Sequence, residues 1–220
     1  IRIATILTTS GATAPLGLDT LGGIEIALAE RRNSLLGHPI ELINFDGACS
    51  GPGGAAAASD VLEITNVVGI IGTSCSSEAV QALPLISPAG LAMISPSNTA
   101  PALTNPAANW LPGYYRTIYN DQDQGRIAAQ FAYTELGART AATVHDGSPY
   151  ADQLQQVFSE QFIALGGTVI VQATVQLGDV DMTPLVSQIA NIPPNVIYMP
   201  IFDPEGSLLA SQIRQTAALN

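Results

Sequence analysis

Residues 67–104, VVGIIGTSCSSEAVQALPLISPAGLAMISPSNTAPALT, constrain the fold more than any other part of the chain. Val67–Gly72 is a short apolar run rich in β-branched residues, the pattern of a strand buried on both faces. Gly72, Thr73 and Ser74 break it. Ser76 or Ser77 then stands where a helix N-cap belongs, ahead of Ala79, Val80 and Leu83. Pro84 and Pro88 confine that helix to a few turns. A second buried strand, 91–95, stops at Pro96. Two successive parallel strands therefore end in polar turns, 73–77 and 95–99. In an open α/β sheet such turns lie at the carboxyl edge, where ligands bind. Small hydroxyl residues and free backbone N–H groups at a helix start suit an anion such as a carboxylate.

The same alternation runs along the whole chain. Residues 1–8 read as a first strand, followed by a helix from Leu16 or Gly17 to Leu35 with Leu21, Ile24 and Leu28 inward. A strand at 39–46 and an Ala-rich helix at 51–65 follow, so the order predicts a doubly wound parallel sheet. Residues 98–113, with Trp110, read as an extended surface loop, and 114–118 as a short strand. The crossover falls near 117–121, which divides the chain into lobes 1–118 and 119–220. In the second lobe Ile127, Ala128, Phe131 and Ala132 share a helix face. A strand at 139–145 precedes a helix at 150–165 burying Leu154, Val157, Phe158, Phe162 and Leu165. Strands at 168–175 and 196–199 alternate with helices at 182–190 and 206–219. A further strand is expected after that last helix, so the second lobe reads as incomplete at its C-terminal end.

Composition excludes several functions. The 220 residues are 47% apolar and carry a net charge of −11, and all seven basic residues are Arg. No basic stripe exists to neutralise phosphates, so nucleic acid is not an expected partner. No apolar run reaches the length of a membrane span. His38 and His145 are isolated, which argues against a metal site. The glycines at 11 and 51–54 lack dinucleotide-binding spacing, and no Gly-Lys-Ser/Thr follows, so no cofactor is expected. No Gly-x-Ser-x-Gly elbow occurs. Cys49 and Cys75 are the only thiols, each just past a strand end at the same sheet edge. They form either a disulfide or two buried thiols. A cysteine pair also serves as acid and base in cofactor-independent amino-acid racemases, but both thiols here fall in one lobe. A two-base mechanism needs them on opposite faces of the substrate.

Cys75-Ser76-Ser77 after a Gly-ended strand, and Met93-Ile94-Ser95-Pro96 with Thr99-Ala100-Pro101 and Leu103-Thr104, resemble the leucine/isoleucine/valine-binding proteins. So do Phe45-Asp46-Gly47-Ala48-Cys49, Arg116-Thr117 with Asp123-Gln124-Gly125, and His145-Asp146 with Tyr150. These are periplasmic solute-binding components of ABC transporters with the type I two-lobed fold. The resemblance covers the chain in order, and family members are considerably longer. It implies an α/β protein of two doubly wound parallel-sheet lobes and a Cys49–Cys75 disulfide. It also implies secretion or lipid anchoring in a periplasmic or extracellular compartment. It further implies that a small solute, an aliphatic amino acid in the family's manner, is held between the lobes without chemistry. The partners implied are the transporter's membrane subunits, with the chain a monomer. The ammonium-binding acid of amino-acid-binding relatives would lie beyond residue 220.

The candidate ligand residues follow from the same match. Ser76 offers a hydroxyl and an N–H to a carboxylate, against a plain N-cap role. Thr99 offers a second such pair, and the Ser97 carbonyl an acceptor for an ammonium. Tyr150 and Phe202 supply second-lobe aromatics. Leu16 stands where relatives usually have an aromatic. Glu78, in the same first turn as Ser76, would repel an anion and is expected to face away from it. Ser97-Asn98 is more polar than the small apolar pair common in branched-chain binders. These departures leave room for a ligand-sensing receptor domain taking amides, urea-like solutes or aromatic carboxylates.

Overall fold

The structure, a computed structural model, describes residues 1–219 and consists of two compact units, Ile1–Asn120 and Asp121–Asn220. Unit 1 is built from β1 (Arg2–Leu7), α1 (Pro15–Glu30), the strand pair β2 (Ser34–Leu35) and β3 (His38–Pro39), β4 (Glu41–Asp46), α2 (Gly51–Glu63), β5 (Val67–Gly72), α3 (Ser76–Ile86), β6 (Met93–Ser95) and β7 (Tyr114–Arg116). Its main sheet runs β4-β1-β5-β6-β7, with every pair parallel. Ala4, Ile6, Ile70, Met93 and Tyr114 point to one face and pack on Ala57, Ala58 and Val61 of α2 and Ala79, Ala82 and Leu83 of α3. Small residues let the helices sit close to the sheet. At Gly54 a side chain would run into the Glu78 backbone, so α2 and α3 meet there without one.

Several expectations change. Helix α1 stops at Glu30 instead of Leu35, because Arg32 and Asn33 take φ near +50°. The next residues make a hairpin, β2–β3, around Leu36 and Gly37, both at positive φ as a two-residue type I′ turn requires. The strand β5 is not buried on both faces. Val68 is 61% exposed, and on the α1 side Ile94 is 43% and Tyr115 58% exposed. Helix α1 covers only the β1–β5 part of that face and leaves an apolar groove of about 500 Å³ beside Ile24, Ile71 and Pro96. Pro84 lies within α3 and does not end it. Residues 98–113 are no simple surface loop. Asn98, Ala100 and Leu103 are fully buried, and a 3₁₀ turn spans Pro101–Thr104. The Arg116 guanidinium explains this, donating to the Asn98 and Ala100 carbonyls (2.8 and 2.9 Å) and to the Thr104 hydroxyl.

Unit 2 contains α4 (Asp121–Gln130) with a π turn at Phe131–Glu135, β8 (Thr140–His145), α5 (Pro149–Ala164), β9 (Thr168–Thr174), α6 (Thr183–Asn191), β10 (Val196–Tyr198) and α7 (Glu205–Arg214). A 3₁₀ turn at Ala217–Leu219 follows α7, where the sequence reads as one helix to Leu219. The sheet order is β10-β8-β9, parallel throughout. Ala142, Val144 and Val171 face α6 and α7, while Ala141 faces Phe158 and Phe162 of α5. Both faces are covered, which is the doubly wound arrangement. On α4 the buried positions are Asp121, Gly125 and Ala129, whereas Ile127 and Phe131 are 56% and 54% exposed, contrary to expectation. The close α4–α5 approach selects the small-residue face, because a side chain at Gly125 would strike Val157. Leu165, also expected inside, is 37% exposed just past the end of α5.

Candidate functional site

In each unit the strand order reverses beside a central strand, and the loops at the carboxyl ends there are the ones that collect ligand-binding groups in open sheets. In unit 1 the reversal lies between β1 and β5. The loop after β5 leads into α3, whose N-cap is Cys75, not Ser76 or Ser77. Cys75 is bonded to Cys49 of the β4–α2 loop, with a Cα–Cα separation of 5.1 Å. That disulfide takes both thiols, which leaves none for a two-thiol racemase. Glu78 does not point outward. It is fully buried and turns back on its own helix start, accepting from the Cys75 N–H (2.8 Å), the Cys49 N–H (3.0 Å) and the Thr8 hydroxyl (2.7 Å). This is the Glu half of a capping box, built on a cysteine. Burial pushes the carboxyl above its usual range, and the hydrogen bonds from Cys75, Thr8, Cys49 and Ser74 only partly offset it.

With Cys75 as the N-cap, Ser76 is the first helical residue and has no capping role. Its Oγ accepts from the Ala100 N–H (3.3 Å), which leaves its own proton free to donate. That bond also joins the α3 turn to the turn after β6. The two turns are cross-linked further. Asn98 donates to the Thr73 carbonyl (2.9 Å), the Ser95 hydroxyl donates to the same carbonyl (2.8 Å), and Ser97 Oγ donates to the Ser74 carbonyl (2.6 Å). The polar pair Ser97-Asn98 therefore faces inward, and its side chains brace the turns. Thr99 is half-buried, and among the described residues neither its hydroxyl nor its N–H has a hydrogen-bond partner. Leu16, in the first turn of α1, is 44% exposed at the same sheet edge.

Tyr114 locks this network from below, its hydroxyl 3.1 Å from Asn98 Oδ1. Burial raises its phenol to about 12, against a partial lowering by the Arg116 charge and by Ser95. The raised value makes the unfolded chain ionise first. Stability is therefore fully present below pH 10 and falls as pH rises from about 10 through about 12. Alkaline denaturation of the wild type against Tyr114→Phe tests this, with the Phe variant expected to lose that decline and about 1 kcal/mol at neutral pH.

In unit 2 the reversal lies between β8 and β10, and two expected residues meet there. Tyr150, in the first turn of α5, and Phe202, after β10, have ring centroids 5.3 Å apart. Asp146 ties their loops together, one oxygen accepting from the Ser148 N–H and the other from the Phe202 N–H. The Tyr150 phenol is raised chiefly by burial, then by the Asp121 and Asp146 charges, against a hydrogen bond with Gln124. Tyr198 lies beside them, its phenol raised by burial, Tyr150 and Asp121. Local sequence pattern does not single out Asp121 or Tyr198. Asp121 is fully buried at the α4 start, and an acid ahead of a helix reads only as a capping residue until burial is known. Among the described residues no cluster of His, Cys, Asp and Glu is arranged to hold a metal.

The chain as a whole is similar to known proteins. A Leu/Ile/Val-binding protein of Rhizobium johnstonii is 28% identical over 220 residues, covering 99% of this chain and 59% of that protein. A Leu/Ile/Val-binding protein of Escherichia coli K12 is 26% identical over 216 residues, 97% of this chain and 58% of its own length. The crystal structure of a leucine binding protein from Thermotoga maritima superposes with a TM-score of 0.91 at 29% identity, covering 98% of this chain and 60% of that one. A solute binding protein from R. palustris, solved with benzoate, shares the fold with a TM-score of 0.80 at 24% identity, covering 90% and 54%. The chain thus spans about three-fifths of the length of the curated relatives it matches. The family model for periplasmic binding proteins matches residues 1–216, and the chain belongs to that family.

Proposed function

We propose that this chain is the solute-capturing part of an extracytoplasmic binding protein that serves an ABC transporter and performs no chemistry. The observation that carries the reading is the braced pair of turns in unit 1. Their remaining donors, Ser76 and Thr99, are small, rigidly held and not consumed by the fold. Within unit 2, Tyr150 and Phe202 form a paired aromatic surface suited to an apolar group. The favoured ligand is an α-amino acid with an aliphatic side chain, in line with the relatives named for leucine, isoleucine and valine. Because Ser97 and Asn98 face inward, their polarity does not count against an aliphatic ligand. A sensor domain taking amides, urea-like solutes or aromatic carboxylates is the alternative, favoured by Leu16 in place of an aromatic. A disulfide fits a periplasmic or extracellular location. Among the described residues no helix is long and apolar enough to cross a membrane. The expected partners are the ligand and the transporter's membrane subunits, with the protein acting as a monomer.

Calorimetry on the complete protein with leucine, an aliphatic amide, urea and benzoate tests the reading. Leucine is expected to bind. A hydrogen bond to a charged group contributes roughly 1.5–3 kcal/mol, so Ser76→Ala and Thr99→Ala are each expected to weaken binding about tenfold or more. Binding of the amide or urea with failure of every carboxylate removes the carboxylate assignment of these turns.

A further inference from the structure

Glu78 is a fully buried carboxyl that the proposed capture does not use, placed at the α3 start beside the Ser76 donors. The elements packed around it offer no positive charge to balance it. From β1 comes the Thr8 hydroxyl, and from the β4–α2 loop the Cys49 N–H. Gly47 presses on the carboxyl from that loop and Gly54 of α2 on the Glu78 backbone, so closely that neither position has room for a side chain. The two sulfurs beside it are joined and do not titrate. The next acid along that loop is Asp46, whose Oδ1 is occupied by the Thr9 and Ala48 N–H groups. Burial is the largest single effect on Asp46 and raises it, but hydrogen bonds from Ser10, Thr9 and Ala48 together outweigh it and hold the carboxyl below its usual value, so it stays charged where Glu78 titrates.

The geometry points to Glu78 as a specificity-determining residue: its carboxylate already occupies the positive end of α3, so the Ser76 donors accept a neutral carbonyl more readily than a simple anion. This rests on the proposed capture by the Ser76 turn. An ionised group two residues along α3 from the ligand's donors, bonded to the N-cap N–H beside them, opposes a second negative charge through buried protein, where screening by water is weak. It leaves the hydrogen-bonding capacity of the Ser76 hydroxyl and N–H intact for an amide. An amino acid's carboxylate is opposed less than a plain anion's, because the ligand brings its own ammonium. Protonation of Glu78 lifts the opposition. The raised position of this carboxyl brings that proton on at milder acidity than for an ordinary glutamate.

The test measures binding of benzoate, isovaleramide and leucine to the complete wild-type protein and to Glu78→Gln. The Gln amide keeps the shape. Its oxygen can take the Cys75 N–H and its NH₂ can donate to Thr8 Oγ, while the Cys49 N–H gives up the carboxylate and keeps Thr8 Oγ as its acceptor (3.1 Å). The variant is expected to bind benzoate about tenfold tighter or more. Its affinity for isovaleramide should stay within about threefold. Wild-type benzoate affinity should rise as pH is lowered from 7 toward 5, and that of the variant should stay flat. Equal changes for benzoate and isovaleramide, or a flat wild-type series, overturn the inference while leaving the capture reading standing. If no probe binds either protein, the capture reading fails and this inference with it. A measurement without a variant follows the Glu78 carboxyl carbon by NMR with whichever probe binds. A bound carboxylate raises its titration midpoint and a bound amide does not. A midpoint unmoved by a bound carboxylate overturns the inference.

Discussion

Replacing Phe158 by Ala is expected to remove about 3–5 kcal/mol of stability from unit 2. The side chain is 1% exposed, with its ring stacked 4.1 Å from Tyr198 and 5.6 Å from Phe162. Its other neighbours in this core are mostly alanines: Ala129, Ala132, Ala138 and Ala141. Alanines have no rotamers with which to fill a void, so the cavity stays open. Site geometry is affected as well. Tyr198 loses the ring that holds it beside Tyr150, so the aromatic pair at the carboxyl edge is loosened. Denaturant melts followed by hydrogen exchange in β8 and α5 peptides measure the loss. A change below about 1 kcal/mol would show that the core collapses around the truncated residue and that the packing account is wrong.

The second large effect concerns the disulfide. Cys49 and Cys75 are 26 residues apart in sequence, and closing such a loop stabilises the fold by roughly 3–4 kcal/mol on the chain-entropy account. Reductant, or the double variant Cys49→Ala with Cys75→Ala, is expected to lower unit 1 stability by that amount. Trp110 is the only tryptophan and packs on the unit 1 core, so its fluorescence reports the transition. The turn itself is expected to persist after reduction, because Glu78 holds the Cys49 and Cys75 N–H groups independently of the sulfurs. Ser76 should therefore keep much of its geometry while the unit melts earlier. An identical Trp110 transition with and without reductant would remove the claim.

What the sequence determined by itself is the architecture and the edge of the sheet where the candidate site lies. Strands such as Val67–Gly72 and helices such as Pro149–Ala164 are written in local pattern, because apolar periods of two and 3.6 and turn-forming Gly, Pro and Ser act over a few residues. The turns bearing Ser76, Thr99, Tyr150 and Phe202 follow from strand order, since parallel strands put all their following loops on one edge. Tertiary structure alone decided which groups there remain available. Glu78 looks like a solvent-facing acid in a helix first turn. It is buried because Gly47 and Gly54, distant in sequence, leave a space of its shape next to Thr8. Ser97 and Asn98 look like exposed turn residues and are internal braces, because their partners Thr73, Ser74 and Tyr114 belong to other strands and turns. Ile127 and Phe131 look like a core stripe and face outward, because α4 meets α5 through Gly125 and Ala129. Local pattern specifies each element, but the pairing of small residues across elements decides which face is buried and which polar atoms are left for a ligand.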